Sequence, residues 1–156
     1  MLSEKENTIK LSRLGHTWIF DLDGTIVKHN GYKIDGYDTL LDGAKEFLEQ
    51  IPEKDMIIFL TSRTDEVMQQ TKMFLHNNEI RYDIIINNAP YGERILVNDM
   101  KPSGLITALA FNSSRDKFFN TIFEEEKELW QKKKKIIKSN LKSAKMEKNF
   151  FSSGWW

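Results

Sequence analysis

Thr17-Trp18-Ile19-Phe20-Asp21-Leu22-Asp23-Gly24-Thr25 decides how this chain is read. Its first four residues are β-prone and apolar, the run ends at Asp21, and Asp23, Gly24 and Thr25 follow as a turn. Downstream lies a polar, glycine-containing stretch, residues 28–42. In residues 43–50 Ala44, Phe47, Leu48 and the following Ile51 recur at helical spacing, until Pro52 stops the helix. Met56–Leu60 reads as a second buried strand ending at Thr61, Ser62 and Arg63. Asp65 is placed to cap the next helix, with Val67, Met68, Thr71, Phe74 and Leu75 on its inner face. A third strand is expected at residues 82–86 and a polar loop at 87–93. A fourth strand at 94–98 ends at Asp99, and a short fifth follows at 107–111.

Strands and helices alternate, and the strands are nearly uninterrupted apolar runs, which is how a parallel sheet covered on both faces reads. The fold expected is therefore α/β: a three-layer, Rossmann-like, open and mostly parallel sheet. In such sheets ligands bind beyond the carboxyl ends of the strands. Asp21, Thr61 and Asp99 each stand at such an end.

Two carboxylates as close as Asp21 and Asp23 repel each other unless a proton or cation intervenes. A hard divalent ion answers that need, and magnesium prefers oxygen ligands, so Asp21, Asp23 and Asp99 are the candidate metal ligands. With the ion neutralising a phosphoryl group, one Asp is free to attack phosphorus, while the other protonates the leaving oxygen and later activates water. Gly24 permits the tight turn and offers a bare backbone N–H to phosphate oxygens. Taken singly these residues have plainer readings: a D-x-D-G turn is common, Thr61 suits a strand end, and Asp99 suits a turn. Their convergence on successive strand ends is what argues for a site.

Phe20-Asp21-Leu22-Asp23-Gly24-Thr25 resembles the first motif of the haloacid-dehalogenase-like phosphohydrolases. Ile58-Phe59-Leu60-Thr61-Ser62-Arg63 is similar to the second motif, and Ile95-Leu96-Val97-Asn98-Asp99 to the fourth. The resemblance implies that Asp21 is the nucleophile and a magnesium ligand. Asp23 would be the general acid and base, binding the ion through its carbonyl; Thr61 would bond the phosphoryl oxygens, and Asp99 would hold the metal. Members usually carry a lysine upstream of the fourth motif, yet none lies between Lys72 and Lys101. Arg94 and Lys101 are the candidate replacements, and Lys101 is favoured because it leaves the same strand end as Asp99. Asn98 stands where a second acid is usual. Ser62 and Arg63, beside Thr61, are further candidates for substrate oxygens, and Tyr32 and Lys33 for a short flap over them.

The intervals between these motifs are filled by the sheet's own elements, so no cap domain is expected. Capless members often act on macromolecular phosphates or borrow a neighbouring subunit as a roof. The activity implied is a magnesium-dependent phosphomonoester hydrolase working on a phosphorylated small molecule or a macromolecular phosphate. The alternatives are a phosphotransferase, or a non-catalytic scaffold or regulatory protein that keeps the pocket.

The chain has 156 residues, of which 40 % are hydrophobic, enough for the core of one ordinary domain. It has no cysteine, which excludes disulfides and thiolate chemistry. No apolar run approaches the roughly 20 residues of a membrane span, and the amino terminus has no signal-like apolar region, so the cytoplasm is the expected location. Residues 124–148 hold nine Lys and five Glu, a surplus of four positive charges. The domain reading is a catalytic core at 1–115, a long amphipathic helix at 116–149 and an aromatic tail at 150–156. A seven-residue spacing through Phe123, Trp130, Ile137, Ala144 and Phe151 suggests coiled-coil packing and a homo-oligomer. A membrane surface is the second reading for the lysines, with the aromatic tail as anchor, and nucleic acid ranks last because no recognised binding motif accompanies them.

Overall fold

Eight short elements account for the regular structure in the computed structural model, which describes residues 8–119 and 121–125. They are β1 (Thr8–Leu11), β2 (Thr17–Phe20), α1 (Gly31–Ile34), α2 (Ala44–Gln50), β3 (Met56–Leu60), α3 (Asp65–Asn77), β4 (Ile84–Ile86) and β5 (Ile122–Glu125). The chain divides into two compact units, residues 15–119 and the two flanking segments together. In the flanking unit β1 and β5 pair in parallel, Thr8 opposite Ile122. In the central unit β2, β3 and β4 form a parallel sheet in that order, with Phe20 opposite Phe59 and Phe59 opposite Ile85. The fold is thus a small α/β one with two parallel sheets.

Local chemistry sets the boundaries. Ile51 takes an extended backbone (φ −67°, ψ 121°) ahead of Pro52, as a residue preceding proline must, and this ends α2. Thr64, rather than Asp65, occupies the capping position of α3, its backbone extended, while Asp65 and Glu66 place negative charge in the first turn where the helix dipole favours it. Met68, Thr71 and Leu75 form the buried stripe of that helix, as their spacing implies.

Parallel partners project to the same face, so Trp18, Phe20, Ile57, Phe59 and Ile85 share one face of the sheet. That face is the core: Ile57 and Phe59 have no exposure, and Phe47 of α2 meets the rings of Trp18 and Phe20 at 5.6 and 6.2 Å. Ala44, Leu48, Ile51, Leu75 and Ile80 belong to the same cluster. On the other face Ile19, Met56, Ile84 and Ile86 are 42–52 % exposed. The reason is topological. Strands in sequential order joined by right-handed crossovers place both connecting helices on one side. Covering the second side requires strands beyond the other edge, and the two expected there, at 94–98 and 107–111, do not form. Residues 87–119 contain no strand, and Ile95, Leu96, Val97 and Ile106 are exposed. The expected three layers are therefore not complete within the described residues.

The carboxy-terminal expectation needs a second correction. Ile122–Glu125, where the seven-residue repeat was to begin, is strand β5 rather than helix. Among the described residues no helix suits a coiled coil, and the rest of the repeat, the lysine face and the aromatic tail lie outside them. None of the described helices is long and apolar enough to cross a membrane.

At the amino-terminal end of the central sheet, Asp55 staples two strands. Its buried carboxylate accepts the backbone N–H of His16 at 3.0 Å, the His16 ring at 3.1 Å and the indole N–H of Trp18 at 3.0 Å. Burial raises its pKa, but these hydrogen bonds together outweigh burial and hold it below the ordinary 3.8. A depressed carboxylate stabilises the fold above its unfolded pKa, and that stability is lost as the pH falls through the folded value. Asp55→Asn should therefore cost about 1–3 kcal/mol at pH 7. Measured by urea denaturation, wild type and variant should converge as the pH drops below 3.8.

Candidate functional site

Beyond Phe20 the chain turns within two residues, and the turn shapes the site. Gly24 has φ +85°, a conformation that side chains rarely adopt, and a Cβ there would lie 3.3 Å from Cγ of Arg115. Its N–H donates to the carbonyl of Val27 at 2.7 Å. The glycine thus serves the turn and the close approach of Arg115, and its N–H is not offered to an anion as expected from sequence.

Asp21, Asp23, Thr61, Ser62 and Arg63, from the carboxyl ends of β2 and β3, line one cavity of about 300 Å³. Asp21 is half-buried and accepts the hydroxyl of Thr25 at 3.3 Å. Burial raises its pKa; the Thr25 bond opposes this, the charge of Asp23 adds to it, and the charge of Arg94 opposes it, leaving the carboxyl above 3.8. Thr61 is 1 % exposed, and its hydroxyl oxygen accepts the N–H of Arg63 at 3.2 Å, which leaves the hydroxyl proton to donate.

Arg63 is committed elsewhere than to a substrate. Its Nε and one terminal nitrogen grip both oxygens of Asp23 at 2.8 Å. The two terminal nitrogens also grip both oxygens of Asp38, at 2.8 and 2.7 Å, and one reaches the Thr71 hydroxyl at 2.8 Å. Those five bonds use all five donors of a guanidinium. The ring of Tyr32 lies over it at 4.4 Å. Burial disfavours the charge of Arg63, but its bonds to Asp23 and Asp38 outweigh this and hold it firmly protonated. Thr71 was expected only as part of the inner face of α3, and Asp38 was not singled out in the sequence, because a carboxylate 25 positions away in a polar stretch carries no local signal.

The remaining cations sort differently from expectation. Arg94 lines the cavity, whereas Lys101 does not; Lys101 pairs with Asp99 at 2.8 Å, both side chains at least half exposed. The expected order of preference is thereby reversed, because the strand that was to deliver Asp99 and Lys101 does not form. Thr107 instead bonds the carbonyl of Asp99, and Asn98 the carbonyl of Thr107. Lys33 and Arg115 also line the cavity. Arg115 was missed because nothing in Ser113-Ser114-Arg115 marks it.

The magnesium expectation fails on this geometry. Both oxygens of Asp23 accept from Arg63, and Asp99 lies outside the cavity with its carboxylate on Lys101. Among the described residues no group of three or more His, Cys, Asp or Glu side chains is placed to hold a metal ion. Asp21, Asp23 and Asp99 do not form a ligand set, and the roles assigned to them as metal ligands are withdrawn.

The guanidinium of Arg63 joins the ends of β2 and β3, helix α3 and the 28–42 connection, so its removal leaves two carboxylates without their cation. Arg63→Ala should lower stability by about 3–5 kcal/mol. Arg63→Lys, which lacks the planar fork, should recover only a minor part. Chemical denaturation of both variants against wild type provides the check.

No family model and no curated protein matches the chain. Among solved structures, a chain of a Pnkp1/Rnl/Hen1 complex is similar with a TM-score of 0.43 and 22 % identity, over 61 % of this chain and 35 % of that one. A chain of the Pnkp1/Rnl/Hen1 RNA repair complex is similar with a TM-score of 0.42 and 25 % identity, over 60 % and 33 %. This chain spans about a third of the length of those solved chains. A likeness of this extent concerns part of the fold and assigns neither a family nor an activity. The ranking that put nucleic acid last is withdrawn; the RNA repair that is named belongs to the second solved complex and not to this chain.

Proposed function

We propose that this chain recognises a phosphate ester as a regulatory or scaffold module that retains a phosphohydrolase-like pocket. The observation that carries the reading is the division of cations around the cavity. Arg63 is fully engaged by Asp23 and Asp38, while Arg94, Lys33 and Arg115 line the same space. Neither Lys33 nor Arg115 is held by a carboxylate among the described residues. An anion entering there meets donors that are not committed to the protein's own acids. Ser62, whose hydroxyl lies 3.5 Å from a terminal nitrogen of Arg94, and the Thr61 hydroxyl complete a set suited to tetrahedral oxyanions.

Turnover is the second reading, and one observation favours it: the Asp21 carboxylate lines the cavity and, among the described residues, accepts the Thr25 hydroxyl without an ion pair to any cation. In that reaction an oxygen of Asp21 attacks phosphorus, the ester P–O bond breaks with its electron pair leaving on oxygen, and the departing alkoxide takes a proton. Asp23 is the group placed to give that proton, yet both its oxygens accept from Arg63. The arrangement therefore withholds acid assistance, which an alkyl leaving group needs and an aryl one does not.

Wild type should bind inorganic phosphate, and Arg94→Ala should weaken that binding about tenfold, the worth of one charge-assisted hydrogen bond. Calorimetric titration reads this directly, and absence of phosphate binding by wild type would overturn the proposal. From an alkyl phosphate, wild type should release phosphate no faster than Asp21→Asn; release that depends on Asp21 would establish turnover instead.

Asp21 gives a pH signature as well. A carboxyl raised above its unfolded value destabilises the fold once it is ionised in both states. Asp21→Asn should accordingly raise the melting temperature at pH 7, with the gain shrinking as the pH falls through the raised value towards 3.8. Differential scanning calorimetry at several pH values checks the sign.

A further inference from the structure

The loop after β4 is fixed at both flanks, and what it holds is an aromatic ring with no partner among the described residues. Asn88 and Ala89 donate their N–H groups to the carbonyls of Arg63 and Thr61 at 2.8 and 3.0 Å, which ties the start of the loop to the end of β3. Asn88 takes φ 54° to make the bend. At the other flank one terminal nitrogen of Arg94 curls back onto the carbonyls of Pro90 and Gly92, at 2.6 and 2.8 Å. Tyr91 stands between those two carbonyls. It lines the cavity and is 88 % exposed, with no ring contact, hydrogen bond or ion pair to another described residue.

A single exposed tyrosine is ordinary on a surface. This one differs because the guanidinium that pins its loop also lines the phosphate cavity and acts on Asp21. The backbone that carries the ring is thereby tied to the anion site before any ligand arrives, so on binding the ring has only its side-chain rotation left to order. The second tyrosine of the cavity, Tyr32, has its face over Arg63 and is already in use. A planar group attached to the phosphate thus meets, among the described residues of the cavity, a tyrosine ring open for stacking, with Lys33 and Arg115 lining the same space for further negative charge.

We propose that the ester bound in this cavity is a nucleotide, its phosphate among Ser62 and Arg94 and its base on Tyr91. This rests on the phosphate-binding reading above and narrows it. A free mononucleotide and the phosphorylated end of a strand share this chemistry. They differ in whether a second phosphate is present to meet Lys33 or Arg115.

Calorimetric titration with inorganic phosphate, ribose 5-phosphate, adenosine 5′-monophosphate and a 5′-phosphorylated adenylyl dinucleotide tests the proposal. The monophosphate should bind roughly tenfold more tightly than ribose 5-phosphate, the worth of one base–aromatic stack. That gap should close in Tyr91→Ala and persist in Tyr91→Phe; since the ring is solvent-exposed, neither change threatens the fold. Tighter binding of the dinucleotide than of the monophosphate identifies a strand end as the ligand, and equal binding identifies the free nucleotide. Equal affinity for ribose 5-phosphate and the monophosphate, or a gap that survives Tyr91→Ala, overturns the stacking role. Inorganic phosphate would still bind in that case, which separates this failure from loss of the phosphate site itself.

Discussion

A buried guanidinium shared by two carboxylates governs this structure. Arg63 is 3 % exposed and Asp38 6 %, and neither charge is tolerable there without the other. Their fork, extended to Asp23 and Thr71, converts what desolvation would forbid into a junction where four parts of the chain meet. Such a pair is costly to break rather than strongly favourable to form. Its main consequence is geometrical: it fixes where the Asp23 carboxylate points and removes Arg63 from the set of cations open to a ligand.

The pocket follows from that commitment. With Asp23 turned to Arg63 and Asp99 outside the cavity, the acidic residues do not converge on a shared ion. The uncommitted positive charge instead comes from Lys33, Arg94 and Arg115, on three separate segments beyond the strand ends. Asp21 lies among them, its charge disfavoured by burial and opposed by the nearby Arg94. On the proposed reading, such a cavity attracts an oxyanion by its cations and holds one acid in reserve.

Much of the central unit was legible in the sequence because its signals are local. Thr17–Phe20 and Met56–Leu60 are apolar runs with a turn at each end, and both are strands within the limits expected. Pro52 marked the end of α2, and the spacing of Met68, Thr71 and Leu75 marked the inner side of α3. Residues 94–98 and 107–111 carry the same apolar composition and yet form no strand. Composition reports β-propensity, whereas a strand exists only when a neighbour supplies hydrogen bonds, and that is a long-range fact. The same distinction explains the site. Asp21 and Thr61 were readable from their strand ends, but the Arg63–Asp38 fork, the choice of Arg94 over Lys101 and the presence of Arg115 depend on contacts between distant segments. At Ile122–Glu125 helical spacing was overridden by pairing with Thr8–Leu11, residues more than a hundred positions away.

The claim on which the rest stands is that Arg63 belongs to the protein's own acids and the anion belongs to the other cations. A crystal structure with bound sulfate tests it most directly. The account predicts sulfate oxygens within hydrogen-bond distance of Arg94 and Ser62, with Arg63 still forked onto Asp23 and Asp38. Sulfate held by Arg63, with Asp23 released from it, would contradict the account.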